Sequence, residues 1–155
     1  MGQATHDQAN LLLRLYELRR ETRLREARAW YSGKCWADSA DEVLKKYPPG
    51  SEANTSFRMV TSYWEMACGI VNRGLIDDEM FFESGAEFWF VWQKIKPIAT
   101  ELRALYNNPI AFRQIETTSN RIETWWSRVA PGLVEGYRRR LALMRESTAA
   151  SAKAS

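Results

Sequence analysis

An all-α, single-domain helical bundle of five to seven helices is the fold this sequence predicts, on three observations. Apolar residues recur at three- and four-residue steps, no stretch alternates cleanly with a period of two, and Pro or Gly with a capping residue separates the periodic segments. Size agrees: 155 residues, 45% hydrophobic and 12% aromatic, suit one self-sufficient core and argue against disorder.

The first helix is predicted from about Asn10 to Tyr31, with Leu13, Tyr16, Leu24, Ala27 and Tyr31 as its apolar stripe and Glu21 supporting Arg25 one turn on. A short helix follows from about Ala40 to Tyr47, where Ser39 and Glu42 have capping-box spacing. Pro48, Pro49 and Gly50 stop it, and Ser51 offers the next N-cap. The third helix, about Glu52 to Arg73, carries Phe57, Val60, Trp64, Ala67 and Val71 on one side. Gly74 stands where a left-handed C-cap falls, Leu75 where its hydrophobic contact sits, and Asp77 caps the next helix. Phe81, Phe82, Phe88, Trp89, Phe90 and Trp92 surround that helix, which places it centrally. Pro97 kinks or breaks it, with helix continuing to about Tyr106. Asn108 and Pro109 form an N-cap and first-turn pair for a helix bearing Phe112, Ile115, Ser119, Ile122, Trp126 and Val129. Pro131-Gly132 ends it, and a last helix runs from about Leu133 to Glu146. Residues 1–9 are expected as a flexible tail, 10–146 as the bundle, and 147–155 as a disordered Ala/Ser-rich tail.

Composition excludes several chemistries. His6 is the one histidine, which removes Ser-His-Asp and Cys-His mechanisms, His-rich zinc sites and Glu-x-x-His di-iron pairs. Cys35 and Cys68 have no C-x-x-C spacing and read as free buried thiols in a reducing, cytoplasmic setting. The eight glycines form no phosphate-binding loop. No metal or cofactor is expected. The longest charge-free run, Ala104 to Phe112, is nine residues, far below the roughly 18 of a membrane span. No secretory signal is expected, and His6 stands where a myristoylation motif wants Ser or Thr.

Charge is unevenly placed. Residues 1–34 carry net +3, residues 35–136 net −4, and residues 137–155 net +4. Packed side by side, the terminal helices would make one positive face. Its arginines, among them Arg19, Arg23, Arg138 and Arg139, could bind phosphates of nucleic acid or an anionic membrane surface. The competing reading is a solvated face whose charges neutralise locally. Base reading at the Gly74 corner is disfavoured, since Asp77, Asp78 and Glu79 open the helix that would enter the groove.

Two further groups stand out. Glu65, Glu83 and Glu87 lie among aromatics, and a carboxyl group in an apolar pocket can act as general acid or base. Glu83 and Glu87, four apart, would share one helical face, whereas Glu65 lies on a polar strip with Thr61, Cys68 and Asn72. The structural alternative pairs Glu65 with Arg103 or Arg113. The second group is aromatic: Trp64, Trp89, Trp125 and Trp126. Adjacent tryptophans on a helix cannot both face one core stripe, so one is expected to be exposed or in a groove, and exposed aromatics mark interfaces.

The stretch Ser62-Tyr63-Trp64-Glu65-Met66-Ala67, the corner Asn72-Arg73-Gly74-Leu75-Ile76-Asp77, and Trp92 through Pro97 with Arg103 resemble a group of uncharacterised bacterial all-α domains of unknown function. The resemblance covers about residues 55–112 and implies a small helical bacterial domain. Members of that group often carry an N-terminal membrane helix, and none is expected here, which puts a membrane role in question. The function expected is a non-enzymatic protein-interaction module that self-associates as a homo-oligomer or holds a protein partner. The alternatives are a small-molecule binder or carboxylate-dependent enzyme with a pocket near Glu65 and Glu87, and a peripheral binder of nucleic acid or anionic lipid.

Overall fold

The computed structural model describes residues 3–155 and contains nine α-helices, one 3-10 turn and, among the described residues, no strand. The all-α single-domain bundle is thus as predicted. The helix count exceeds five to seven because two long predicted helices are divided.

The first division falls at Arg20 and Glu21, separating α1 (His6–Arg19) from α2 (Thr22–Lys34). The Glu21 carboxylate turns onto the backbone, accepting the amides of Arg23 at 3.0 Å and Leu24 at 2.9 Å. It acts as an N-cap, and those amides hold its carboxyl below the usual range. The break reorients the stripe. Leu24, Ala27 and Tyr31 enter the core, while Leu13 and Tyr16 stay 59% and 47% exposed. The expected tail is also shorter, because the Thr5 hydroxyl accepts the Gln8 amide and starts α1 at His6. The opening Met-Gly pair lies outside the described residues.

Next come α3 (Ala40–Lys46), capped by Ser39 as its spacing predicts, and α4 (Glu52–Asn72), capped by Ser51. After α4 the Leu75 amide bonds the Ile70 carbonyl and the Gly74 amide bonds that of Val71, with Gly74 at φ +74°. This is a Schellman closure, although Leu75 itself remains exposed.

Asp77 caps α5 (Asp78–Glu83). The second division follows at Ser84-Gly85-Ala86, with Gly85 at φ +146°, before α6 (Glu87–Ile95). Glu83 and Glu87 therefore sit on different helices, not on the one face expected of them. The break lets α6 bury Phe88, Trp89, Val91, Trp92 and Ile95 together. Pro97 lies in a 3-10 turn, Lys96–Ile98, before α7 (Ala99–Leu105).

Asn108 and Pro109 do not start the next helix. The Asn108 side chain accepts the Ile110 amide within a turn, and α8 (Arg113–Val129) begins after Phe112, a left-handed residue at φ +62°. The last helix, α9 (Leu133–Ala154), continues through residues expected to be disordered. Alanines at 149, 150, 152 and 154 favour helix, and Thr148 ties this stretch to α2 through the Gly33 carbonyl at 2.9 Å.

α4 is the central element, packing on α2 and α8, while α6 also packs on α8. Its fully buried Ala67, Cys68 and Val71 leave room for close helix approach. α9 covers α2 and α8 from outside and has no buried residue. Among the described residues, no helix is long and apolar enough to cross a membrane.

Candidate functional site

Glu65, the first carboxylate singled out, sits on α4 facing the start of α8. Its Oε1 accepts the Gln114 amide and its Oε2 the Ile115 amide, both at 2.9 Å. Phe112 has no side-chain acceptor to cap α8, and Glu65 supplies one from across the bundle. Arg103, an expected partner for Glu65, instead bonds Glu116 at 2.6 Å and the Ala111 carbonyl at 2.9 Å. Asn72 continues the polar strip, joining the Gln114 side chain, Thr118 and Arg121. The strip is the α4–α8 seam. Burial, with a smaller contribution from the nearby Glu65 carboxylate, pushes the Cys68 thiol up to about 12.

Glu83 is exposed at the end of α5. Glu87, at the first turn of α6, is gripped by Arg28 of α2 through two bonds, Nε to Oε1 at 2.7 Å and Nη2 to Oε2 at 2.5 Å. The three carboxylates are not brought together. Among the described residues, no group of three or more His, Cys, Asp and Glu is placed to hold a metal ion.

The tryptophans divide between buried and half-buried positions. Trp126 and Trp89 are buried in contact, ring centroids 5.7 Å apart, and the Trp89 indole donates to Glu123 at 2.8 Å. Trp125 is half-buried against Phe82 and donates to Glu79 at 3.3 Å. Trp64 is buried between Tyr63 and Phe88.

The basic residues separate likewise. Arg19 stacks on Tyr16 with its guanidinium 4.7 Å from the ring centroid, and Arg138 pairs with Glu123 at 3.1 Å. Arg23 and Arg139 are exposed. α2 and α9 do lie together, and the positive face they form is a crevice of about 610 Å³ floored by α6. Each helix contributes residues at helical spacing: Arg25, Arg28, Ala29 and Ser32 from α2, Glu87, Phe90, Val91 and Lys94 from α6, and Tyr137, Arg140, Leu141 and Met144 from α9. Four cations thus face one carboxylate.

Two of the four cations are committed. Arg28 holds Glu87 and donates to the Arg19 carbonyl at 3.0 Å. Lys94 closes the C-terminus of α2, donating to the carbonyls of Tyr31 at 2.6 Å, Ser32 at 2.9 Å and Cys35 at 3.1 Å, with its ammonium 3.8 Å from the Trp36 ring centroid. Burial draws the Lys94 amine down to about 8. Arg25 and Arg140 are exposed and, among the described residues, have no ion-pair partner. Tyr137 anchors α9 on the floor, its ring 5.0 Å from Phe90 and 5.3 Å from Trp126.

Sequence reasoning passed over Lys94, Glu123 and Tyr137. Only Tyr137 had a local signal: it is the one aromatic in the basic last helix, spaced with Val134 and Leu141.

Fold and site together define a small all-α domain with an aromatic core and a basic crevice along one flank. The chain belongs to the family described as Domain of unknown function (DUF4760), whose sequence profile matches residues 4–122. That span takes in the stretch 55–112 that carried the resemblance, and α9, one wall of the crevice, lies beyond it. No curated protein and no solved structure matches the chain.

Proposed function

We propose that this protein is a non-enzymatic binding module that works through the crevice between α2, α6 and α9 and takes an anionic partner there. One observation carries the reading: Arg25 and Arg140 stand, among the described residues, without ion-pair partners on opposite walls of a crevice whose floor carries Phe90 and Val91 between Glu87 and Lys94. Guanidinium groups beside apolar surface are a recognised means of holding an anion with an apolar body. The dispersal of Glu65, Glu83 and Glu87 supports a binding role over a carboxylate-dependent reaction. Both cysteines are free and buried, which supports a cytoplasmic setting.

Titration with anilinonaphthalene sulfonate, an aromatic anion that fluoresces on entering apolar surroundings, tests the reading. Saturable one-to-one binding that weakens in Arg25→Gln and Arg140→Gln supports it. Equal binding by the parent and both variants overturns it.

Self-association is the second reading, favoured by α1, where Leu11, Leu13, Tyr16 and Leu18 are all exposed. Native mass spectrometry at several concentrations decides it. A dimer that grows with concentration and is lost in Leu13→Ser/Leu18→Ser supports self-association, and a monomer throughout removes it.

A further inference from the structure

Resting on the crevice reading above, we propose that the occupant is a small acyl carboxylate of medium chain length. Its head bridges Arg25 and Arg140, and its tail lies on Phe90 and Leu141, pointing towards Met144.

Shape argues first. α2 and α9 converge at one end, where the Thr148 hydroxyl reaches the Gly33 carbonyl at 2.9 Å. A partner helix, about 10–12 Å across, does not fit between two helices already in hydrogen-bonding contact. A single chain or ring does. Arg25 to Ser32 and Tyr137 to Met144 each advance about 10 Å along their helices, which sets a medium length for the apolar body.

Charge argues next. Arg28 is spent on Glu87 and Lys94 on three carbonyls, so two guanidiniums remain for a ligand. Each offers paired N–H donors, and together they suit the two oxygens of one carboxylate. Glu87 in the crevice and Glu21 one turn before Arg25 disfavour a multiply charged ligand such as a nucleotide or a nucleic-acid backbone. The floor and the α9 wall then select the tail. Phe90 and Leu141 present apolar surface, and the flexible Met144 adapts to the end of a chain.

Isothermal titration of the full chain at low salt with octanoate, butyrate, octanol and inorganic phosphate tests the assignment. Octanoate is expected to bind one-to-one, at least about tenfold tighter than butyrate or octanol, since neither supplies both head and tail. Arg25→Gln and Arg140→Gln each weaken octanoate about tenfold without changing the melting temperature, both side chains being exposed. Met144→Trp, which fills the tail end, weakens octanoate and leaves butyrate unchanged. If butyrate, phosphate and octanoate bind alike and the arginine variants lose all three, the crevice is a general anion site and the acyl assignment fails while the binding-module reading stands. If octanoate binds but ignores both arginines, the assignment fails. If no anion binds, both readings fail.

Discussion

Glu65 and Gln114, 49 residues apart, are joined by a bond of 2.9 Å from the Gln114 amide to the Glu65 carboxylate, and the neighbouring Ile115 amide takes the other oxygen. A side chain of α4 thereby does what an N-cap residue does for its own helix. Glu65→Gln keeps one acceptor and turns an NH2 group towards an amide that needs an acceptor. The expected cost is about 1–2 kcal/mol of unfolding free energy, the range of a lost cap. Urea unfolding measures it, and octanoate binding in the crevice should be unaltered. A variant that kept its stability but lost ligand would return Glu65 to the list of site residues.

Alkaline stability follows from the two thiols. Burial raises Cys35 to about 11 and Cys68 to about 12, against about 8.5 in an unfolded chain. Above pH 8.5 the unfolded state has released protons that the native state still holds. The stabilisation is fully present below that pH and is lost as pH climbs towards 11. Lys94 works in the opposite direction: it is lowered to about 8, so between pH 8 and about 10.4 the unfolded state binds the extra proton and stability rises. Two thiols outweigh one amine, so the unfolding free energy is expected to fall between pH 9 and 11. In Cys35→Ala/Cys68→Ala stability should be flat or rising between pH 9 and 10, while the fall above pH 10 remains because burial raises the Tyr31, Tyr47 and Tyr63 hydroxyls above the value of about 10 in an unfolded chain. Denaturant titrations at fixed pH would show both.

What could be read in advance was local. Ser39, Ser51 and Asp77 cap helices three residues or fewer downstream, and Gly74 needs only its own backbone conformation to end α4. The breaks at Glu21 and Gly85 were missed because a periodic pattern runs straight through both, and glutamate is an uncommon cap. The site was less legible still. Arg28 and Glu87 are 59 residues apart, as are Lys94 and the Cys35 carbonyl, so nothing within a window of one helix announces either contact. The excess of positive charge in the terminal helices was visible, but which arginines remain free depends on where Glu87, Glu123 and Asp38 land.

Two glycines on exposed backbone should respond with opposite sign. Gly74 has φ +74° and nothing within 4 Å of an added methyl group, so Gly74→Ala meets only the left-handed penalty, about 1 kcal/mol of stability. Gly33 lies in α2 with ordinary helical backbone and equally open space. Gly33→Ala is expected to stabilise by about 0.5 kcal/mol through the unfolded chain's lost freedom. Thermal melts of the pair decide the matter, and a destabilised Gly33→Ala would mean that the approach of Thr148 to the Gly33 carbonyl tolerates no change there.

Glu87→Gln separates structure from binding most directly. In the native protein Arg28 and Glu87 are 21% and 29% exposed, so their pair is neither fully buried nor fully screened. Neutralising Glu87 leaves Arg28 with one good acceptor, and the expected loss is about 1–2 kcal/mol, below the cost of breaking a fully buried pair. In the crevice the same change removes the one carboxylate among the lining charges and releases part of Arg28 towards a ligand. Octanoate should therefore bind about threefold to tenfold tighter while the protein melts at a lower temperature. A carboxylate that served a reaction or received a cationic ligand would give the reverse, with weaker binding alongside the lost stability. Measured on one preparation, the two readouts distinguish an anion-holding crevice from a site organised around Glu87.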